Sequence, residues 1–588
     1  MCGILGGVGN EKISKTFVDN HIDSLTSRGP DDKGKINGEW GAFGHTRLSM
    51  LDLSDEGHQP MVSKCGQFII VYNGEIYNCN SLRDDLKKKG HSFHSMTDTE
   101  VILEGFIRYK ENIIGKLNGM FALAIFDVKS KKLFLARDRN GIKPLYIRID
   151  NKVLLFSSQA SSLSAQKGKK YNKDSALLYL MFGSVPGSNT IYKDVIVFPA
   201  GSYAYYENFK LSYTSFYKFK TSGRENNNDI ISRTRDLIFS SVDRHLYSDS
   251  PIGVFLSGGL DSSVISAIAK KYNNKIEAVS LYFDNKSVSE ENYQDSVSKH
   301  LGIKTHKLKV TEGMFIENLN LFINSMDQPS VDGFNTYLAS KFAIQSGMKA
   351  ILSGVGSDEI FYGYGTFSRY HILKKYLKSI KLLSPIFKFF NKYQKLEFLK
   401  CKGEIGNYLS IRGVLTPSEV VKLTGVPKSY IYNLIDNLDN ENNFPDNQFI
   451  NSYDKNGLFE LQYYMKNQLL RDSDQFSMAH SLEIRTPFLD NELVDYVLST
   501  PSDYKIADSY NKPLLVDAVG DLLPEEIWKR KKSGFELPFE EWMRSNPKKF
   551  EISSNDLWRK FEKNEVHWSK VWTLFVLEKF IGMPINEM

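Results

Sequence analysis

The 588-residue chain contains only four cysteines: Cys2, Cys65, Cys79 and Cys401. None forms a CxxC pair or a zinc-ligand spacing, which excludes a disulfide framework and a cysteine-rich metal module and points to a reducing compartment. Long apolar runs are missing too, and no stretch reaches the roughly 20 residues that a bilayer-spanning helix needs. No secretory leader opens the sequence, since Glu11 and Lys12 arrive before any apolar core region. The expected location is the cytoplasm. Neither sign of charge dominates: the net charge is +6, too small to imply a nucleic-acid partner. There are no internal repeats. What remains is a chain of ordinary globular composition that is too long for one core and must divide into domains.

The rhythm of the sequence changes along its length. The first two hundred residues read as short strands with Gly-rich turns. Phe68–Tyr72, Phe121–Phe126 and Leu133–Ala136 are apolar runs of strand length, interrupted by helical patterns at Ser81–Lys89 and Thr99–Tyr109. An α+β domain of stacked sheets with flanking helices is expected over residues 2–215. Ser222–Asn228 is polar and serves as a linker. Beyond it, strands at Pro251–Leu256, Glu277–Phe283 and Ala350–Leu352 alternate with helices at Ser262–Tyr272 and Asn292–Leu301. This predicts a second domain, residues 230–588, built on an α/β parallel sheet that binds ligands at the carboxyl ends of its strands. After residue 365 the pattern is mostly helical. Lys374–Lys402 carries nine lysines against the single acid Glu397 and reads as an amphipathic helical insertion with a solvated face.

Two kinds of site stand out. Cys2 follows the initiator Met, so removal of Met1 would put a thiol and a free α-amine on one residue. That amine titrates near neutrality and can take the thiol proton directly or through one water. In the second half, Leu256-Ser257-Gly258-Gly259-Leu260-Asp261-Ser262-Ser263 lies between a strand and a helix. Its glycines let backbone N–H groups approach an anion, and the helix N-terminus adds partial positive charge. No Gly-Lys-Ser/Thr follows, so it is not a Walker A loop. Asp261 supplies a carboxylate instead, which beside phosphates suits Mg²⁺. Leu352-Ser353-Gly354-Val355-Gly356-Ser357-Asp358-Glu359 repeats the combination at the end of the third strand.

The first of these loops resembles the pyrophosphate loop of ATP pyrophosphatases, which split ATP into AMP and pyrophosphate. Cys2-Gly3-Ile4, Arg28-Gly29-Pro30-Asp31, His45–Ser49, Tyr72–Asn78 and Thr97–Glu100 resemble the glutaminase domain of class II glutamine amidotransferases. Together, in this order, the motifs resemble glutamine-hydrolysing asparagine synthetases over essentially the whole chain. The resemblance implies that Cys2 attacks the glutamine side-chain amide, giving a γ-glutamyl thioester and ammonia. Asn73 and the Gly74 N–H would face the oxyanion. Arg47 would hold the glutamine α-carboxylate and Asp98 its α-ammonium, with backbone around Glu75 completing the site. Taken singly, Arg47 and Asp98 also read as surface ion-pair members, and Asn73-Gly74 as a hairpin turn. The family places ATP and pyrophosphate at Leu256, Ser257, Gly258, Gly259, Asp261, Ser262, Val279, Ser353, Gly354 and Asp358, with Asp261 and Asp358 holding Mg²⁺. Lys532, in Trp528–Phe535, would neutralise charge developing on the phosphates or the acyl-transfer transition state; it also reads as part of a solvated lysine cluster. An enclosed ammonia passage and a homodimer are further expectations from the family.

Three departures concern the acceptor. Val355 stands where asparagine synthetases usually carry Glu, Val516 where an Arg commonly follows Lys512-Pro513-Leu514-Leu515, and Asp327-Gln328-Pro329 replaces the usual D-E-P form. The partners expected are glutamine, ATP and a carboxylate acceptor: L-aspartate on the first reading, a sugar uronic acid on the second. A non-catalytic nucleotide-binding scaffold is the reading from another class, opposed by the intact Cys2, Asp98, Asp261 and Asp358.

Overall fold

A computed structural model describes residues 2–164, 170–219, 229–285, 289–387, 391–440, 451–507, 510–531 and 537–588. The segment expected as a linker, 222–228, lies outside the described residues, as does Lys532.

The amino-terminal part is a four-layer sandwich. One antiparallel sheet runs in the order Ile196–Val197, Tyr146–Asp150, Val153–Ser157, Gly3–Val8, Gly41–Arg47, Asp32–Gly38. The other runs Lys210–Ser215, Ser202–Glu207, Lys132–Arg137, Gly119–Asp127, Phe68–Ile76, Met61–Val62. Strand residues alternate between faces, and in the central strands both faces are buried. Ile69 and Val71 point into the core between the sheets with Ala122, Ala124 and Phe126. Phe68, Ile70 and Tyr72 point the other way, with Phe121 and Leu123, onto helices Cys79–Lys88 and Asp98–Tyr109. That double burial is why these strands read as continuous apolar runs rather than as alternating ones. On the far side of the first sheet, Leu5 and Ala42 pack with Phe17 and Val18 of helix Glu11–His21.

The same two-residue period sets up the thiol site. Ile4 and Val8 face the second sheet. Cys2, two residues before Ile4, takes the same parity at the start of its strand, and Asn73 follows Ile69 and Val71 on the opposing one. The two residues therefore meet at the mouth of the sandwich.

The second part is built on a five-stranded parallel sheet in the order Thr305–Lys309, Glu277–Tyr282, Ile252–Phe255, Ala350–Leu352, Glu483–Arg485. Strand order reverses about Ile252–Phe255, so the loops leaving that strand and Ala350–Leu352 flank one crevice at their carboxyl ends. The expected helices appear as Leu260–Tyr272 and Glu291–Leu301. Among the described residues from Thr366 onward, the elements are helical apart from the short strand Glu483–Arg485. Within Lys374–Lys402, Lys374 pairs with Glu404, and Glu397 turns inward to Ser418 and Lys428. No helix among the described residues is long and apolar enough to cross a membrane.

Candidate active sites

In the thiol site, Cys2, Arg47, Gly74, Glu75 and Asp98 line one cleft. Its volume of about 30 Å³ leaves room for roughly two waters. Cys2 is 8% exposed, and burial pushes its thiol up from the ordinary value. The main-chain nitrogen of Cys2 donates to Asn73 Oδ1 at 3.0 Å, while Asn73 Nδ2 is buried with no partner. An amide with one end anchored and its donor end unsatisfied is poised for a developing oxyanion. Gly74 sits where a Cβ would lie 2.1 Å from the Met120 carbonyl, so no side chain fits there.

Asp98 accepts from the Tyr72 hydroxyl at 2.8 Å and from the Ile76 N–H at 3.0 Å. Burial nonetheless raises its pKa. Arg47 donates to the carbonyls of Ser54, at 2.8 Å, and Asp52, so its guanidinium holds the Leu51–Gly57 loop over the cleft. Arg28 ties the cleft to the second domain: its Nε donates to the Cys2 carbonyl at 3.2 Å, and its two terminal nitrogens fork onto Asp474 at 2.8 and 3.1 Å.

At the crevice of the parallel sheet, a cavity of about 500 Å³ is lined by Ser257, Gly259, Asp261, Asp358, Lys512 and Arg530, among others. Gly258 has φ +82°, a left-handed turn that glycine adopts freely. Ser257 and Ser262 lock the loop through their hydroxyls at 2.9 Å, and Ser262 Oγ also accepts from the Ser257 N–H. Leu256 and Val279 are each 1% exposed and belong to the sheet core; the Leu256 N–H donates to the Val279 carbonyl at 2.9 Å. Gly354 packs against the first loop so closely that a Cβ would lie 2.8 Å from that of Asp261. The Ser353 N–H is held by the Arg485 carbonyl at 2.9 Å. These core and loop residues frame the cavity from behind, whereas Ser257, Gly259, Asp261 and Asp358 face it.

Three residues of this site were not singled out from the sequence. Lys512 Nζ lies 2.5 Å from Asp261 Oδ1 and 2.5 Å from Asp358 Oδ1. Burial would lower its pKa, but the two carboxylates hold it above the ordinary lysine value. Its backbone is left-handed at φ +54°, a strained position of the kind that gathers at functional sites. The Lys512-Pro513-Leu514-Leu515 pattern is the signal that could mark it. Arg530 donates to the Gly258 carbonyl at 3.2 Å and pairs with Glu290 at 2.5 Å, which puts a second cation beside the loop. Glu359 is wholly buried; burial and the Asp358 charge push its carboxyl up to about 7, and it accepts from the Tyr364 hydroxyl at 2.8 Å. Val355, by contrast, packs against the apolar core of the domain.

Two carboxylates converging on one positive charge fit a magnesium site, since Mg²⁺ is commonly held by one or two carboxylates plus substrate phosphates. Here the ammonium of Lys512 supplies that charge. Among the described residues no group of three or more His, Cys, Asp or Glu gathers in metal-binding fashion, here or elsewhere, so any magnesium would rest on these two carboxylates and the substrate's own oxygens.

Comparison with known proteins bears on both sites. The family model described as Glutamine amidotransferase domain matches residues 1–217, and the one described as Asparagine synthase matches residues 233–554. The chain is 29% identical over 562 residues to the glutamine-hydrolyzing asparagine synthetase 1 of Bacillus subtilis strain 168, covering 93% of this chain and 88% of that one. It is 31% identical over 572 residues to asparagine synthetase 3 of the same organism, covering 91% and 87%. It is also 32% identical to asparagine synthetase B of Escherichia coli K12, over 58% of this chain and 60% of that one.

Proposed function

The chain belongs to the glutamine-hydrolysing asparagine synthetase family, and from that premise we propose that it makes L-asparagine from L-aspartate in two coupled half-reactions. In the first, the Cys2 thiol adds to the side-chain amide of glutamine. With Met1 removed, the nitrogen now held by Asn73 Oδ1 is the α-amine, oriented by that bond to take the thiol proton. Asn73 Nδ2 and the Gly74 N–H stabilise the oxyanion, ammonia leaves, and water releases glutamate from the thioester. Arg47 and Asp98 recognise the α-carboxylate and α-ammonium of glutamine.

In the second half-reaction the acceptor carboxylate attacks the α-phosphorus of ATP. Pyrophosphate leaves, and ammonia displaces AMP from the acyl-adenylate. The Ser257–Gly259 loop and the helix behind it offer N–H donors to the pyrophosphate. Lys512 and Arg530 offset the charge that builds as it departs. Magnesium held by Asp261 and Asp358 would neutralise the phosphates in the ground state. Lys532 is assigned to the same charge neutralisation on its motif alone. Aspartate as acceptor is taken from the names of the relatives.

What carries the reading is the pairing in one chain of a buried thiol beside an orphaned amide donor with two carboxylates converging on an ammonium at a parallel-sheet crevice. The test is AMP and asparagine formation with aspartate, using glutamine or ammonia as nitrogen source. Cys2→Ala should abolish glutamine use and leave ammonia-dependent synthesis within about threefold of wild type. Loss of both would contradict the division of labour. Glutamine-dependent AMP release that aspartate does not stimulate, but a uronic acid does, would move the acceptor to the second class.

A further inference from the structure

One residue touches both centres. Arg485 is 0% exposed, and three of its contacts belong to the synthetase half. Its Nε pairs with Glu483 at 2.6 Å, and its Nη1 donates to the carbonyls of His245 and Tyr247 at 2.8 and 2.6 Å. The remaining nitrogen, Nη2, makes no hydrogen bond and lies 3.4 Å from Oε2 of Glu75, in the other domain. Glu75 lines the thiol cleft next to Gly74, and its Oε1 has no partner. From the same residue the main-chain carbonyl of Arg485 accepts from the Ser353 N–H at 2.9 Å. Ser353 opens the loop that ends in Asp358. A path of one side chain and one peptide therefore joins the glutamine cleft to the phosphate-binding loop.

We propose that Arg485 is a positioning residue that couples the two sites, so that occupancy of the nucleotide cavity strengthens glutamine binding and the reverse. The inference rests on the functional reading above. Glutamine brings a cationic α-ammonium beside Glu75, whose carboxyl burial raises and the Arg485 guanidinium lowers, so the ammonium and Arg485 compete for one acidic group. Three synthetase-side contacts leave the guanidinium little freedom to move except together with its own strand. That strand is paired directly with the one preceding Ser353, with Leu352 opposite Arg485. Coupling between binding sites is reciprocal, and such couplings typically amount to a factor of about 5–150.

The experiment uses the full chain carrying Cys2→Ala, which can bind glutamine without consuming it. Glutamine affinity is titrated by calorimetry with and without ATP and Mg²⁺. The nucleotide should tighten glutamine binding about fivefold or more. Arg485→Lys added to that background should bring the factor close to one and leave nucleotide-free glutamine affinity within about threefold. In chains retaining Cys2, Arg485→Lys should raise the glutamate released per carboxamide formed from near one to several. Glu75→Gln, which also alters the glutamine cleft and is therefore read only for its response to nucleotide, should likewise bring the factor close to one, and the double variant should add nothing to it. It also serves if Arg485→Lys fails to fold. An unchanged factor in folded Arg485→Lys or Glu75→Gln chains, or no effect of nucleotide in the Cys2→Ala chain, overturns the proposal. A wild-type chain that hydrolyses glutamine but forms no carboxamide would instead defeat the functional reading, and the binding titration would still decide the coupling.

Discussion

Lys512 offers the sharpest test of how the synthetase site is balanced. Lys512→Met keeps most of the side-chain volume and the same left-handed backbone, and removes only the charge. Both Asp261 Oδ1 and Asp358 Oδ1 lie 2.5 Å from the one nitrogen, so the two oxygens are within about 5 Å of each other. At an effective dielectric of about 20, two like charges at that separation repel by about 3 kcal/mol. This agrees with the ~3–5 kcal/mol that removing one member of a buried ion set costs. In a domain this large the loss lowers the melting temperature by about 5 °C. The assay is thermal unfolding of wild type and variant, with and without millimolar Mg²⁺. The variant should melt about 5 °C lower without the metal and recover more than wild type when it is added, because a divalent cation then replaces the missing ammonium. Glutamate release should be retained while carboxamide formation falls by about 10²-fold. A variant that melts like wild type without metal, or that gains no more from Mg²⁺ than wild type does, would refute the argument that these carboxylates share one cationic position.

Two further predictions concern groups whose surroundings set their chemistry. Asn73→Ala should lower the glutaminase kcat by about 10²–10³ with little change in KM, because Nδ2 is reserved for the oxyanion; steady-state kinetics showing a rise in KM alone would make Asn73 a substrate-binding group. Glu359 is raised to about 7 from an ordinary 4.5, so its contribution to stability is complete below about pH 4.5 and is lost as pH climbs through about 7. The wild type should therefore lose about 3 kcal/mol between pH 5 and pH 8 that Glu359→Gln does not lose, as read from urea unfolding at the two pH values. Parallel pH profiles for the two chains would sink that assignment.

How far the molecule could be read in advance depended on whether its parts are local in sequence. Three central sandwich strands and three of the five strands of the parallel sheet were legible because each is a short apolar run bounded by turns. Thr305–Lys309, with two lysines and a histidine in five residues, was not, so Ala350–Leu352 is the fourth strand rather than the third. The loops after Phe255 and Leu352 were legible because glycines and a carboxylate must sit at fixed offsets from a strand end. The strand Glu483–Arg485 was not, since three residues carry no period; Ser481–Asp490 resembles a family motif that frames the site, but nothing local marks it as a strand or pairs its charges. Yet both Glu483 and Arg485 are fully buried, and the Glu483 carboxylate, with Glu75 nearby, offsets the cost of burying the Arg485 charge. Glu75 is 410 positions away, a juxtaposition that no local pattern encodes. Lys512 escaped for the same reason, since its partners Asp261 and Asp358 come from two earlier strand ends. Val355, standing where asparagine synthetases usually carry Glu, packs its side chain against the apolar core. The carboxyl that burial and the Asp358 charge bring to about 7 is Glu359, four residues on, held by the Tyr364 hydroxyl. Isolated motif positions thus revealed which atoms bind, whereas the buried charges that set their protonation and link the two sites came only from the packing of distant segments.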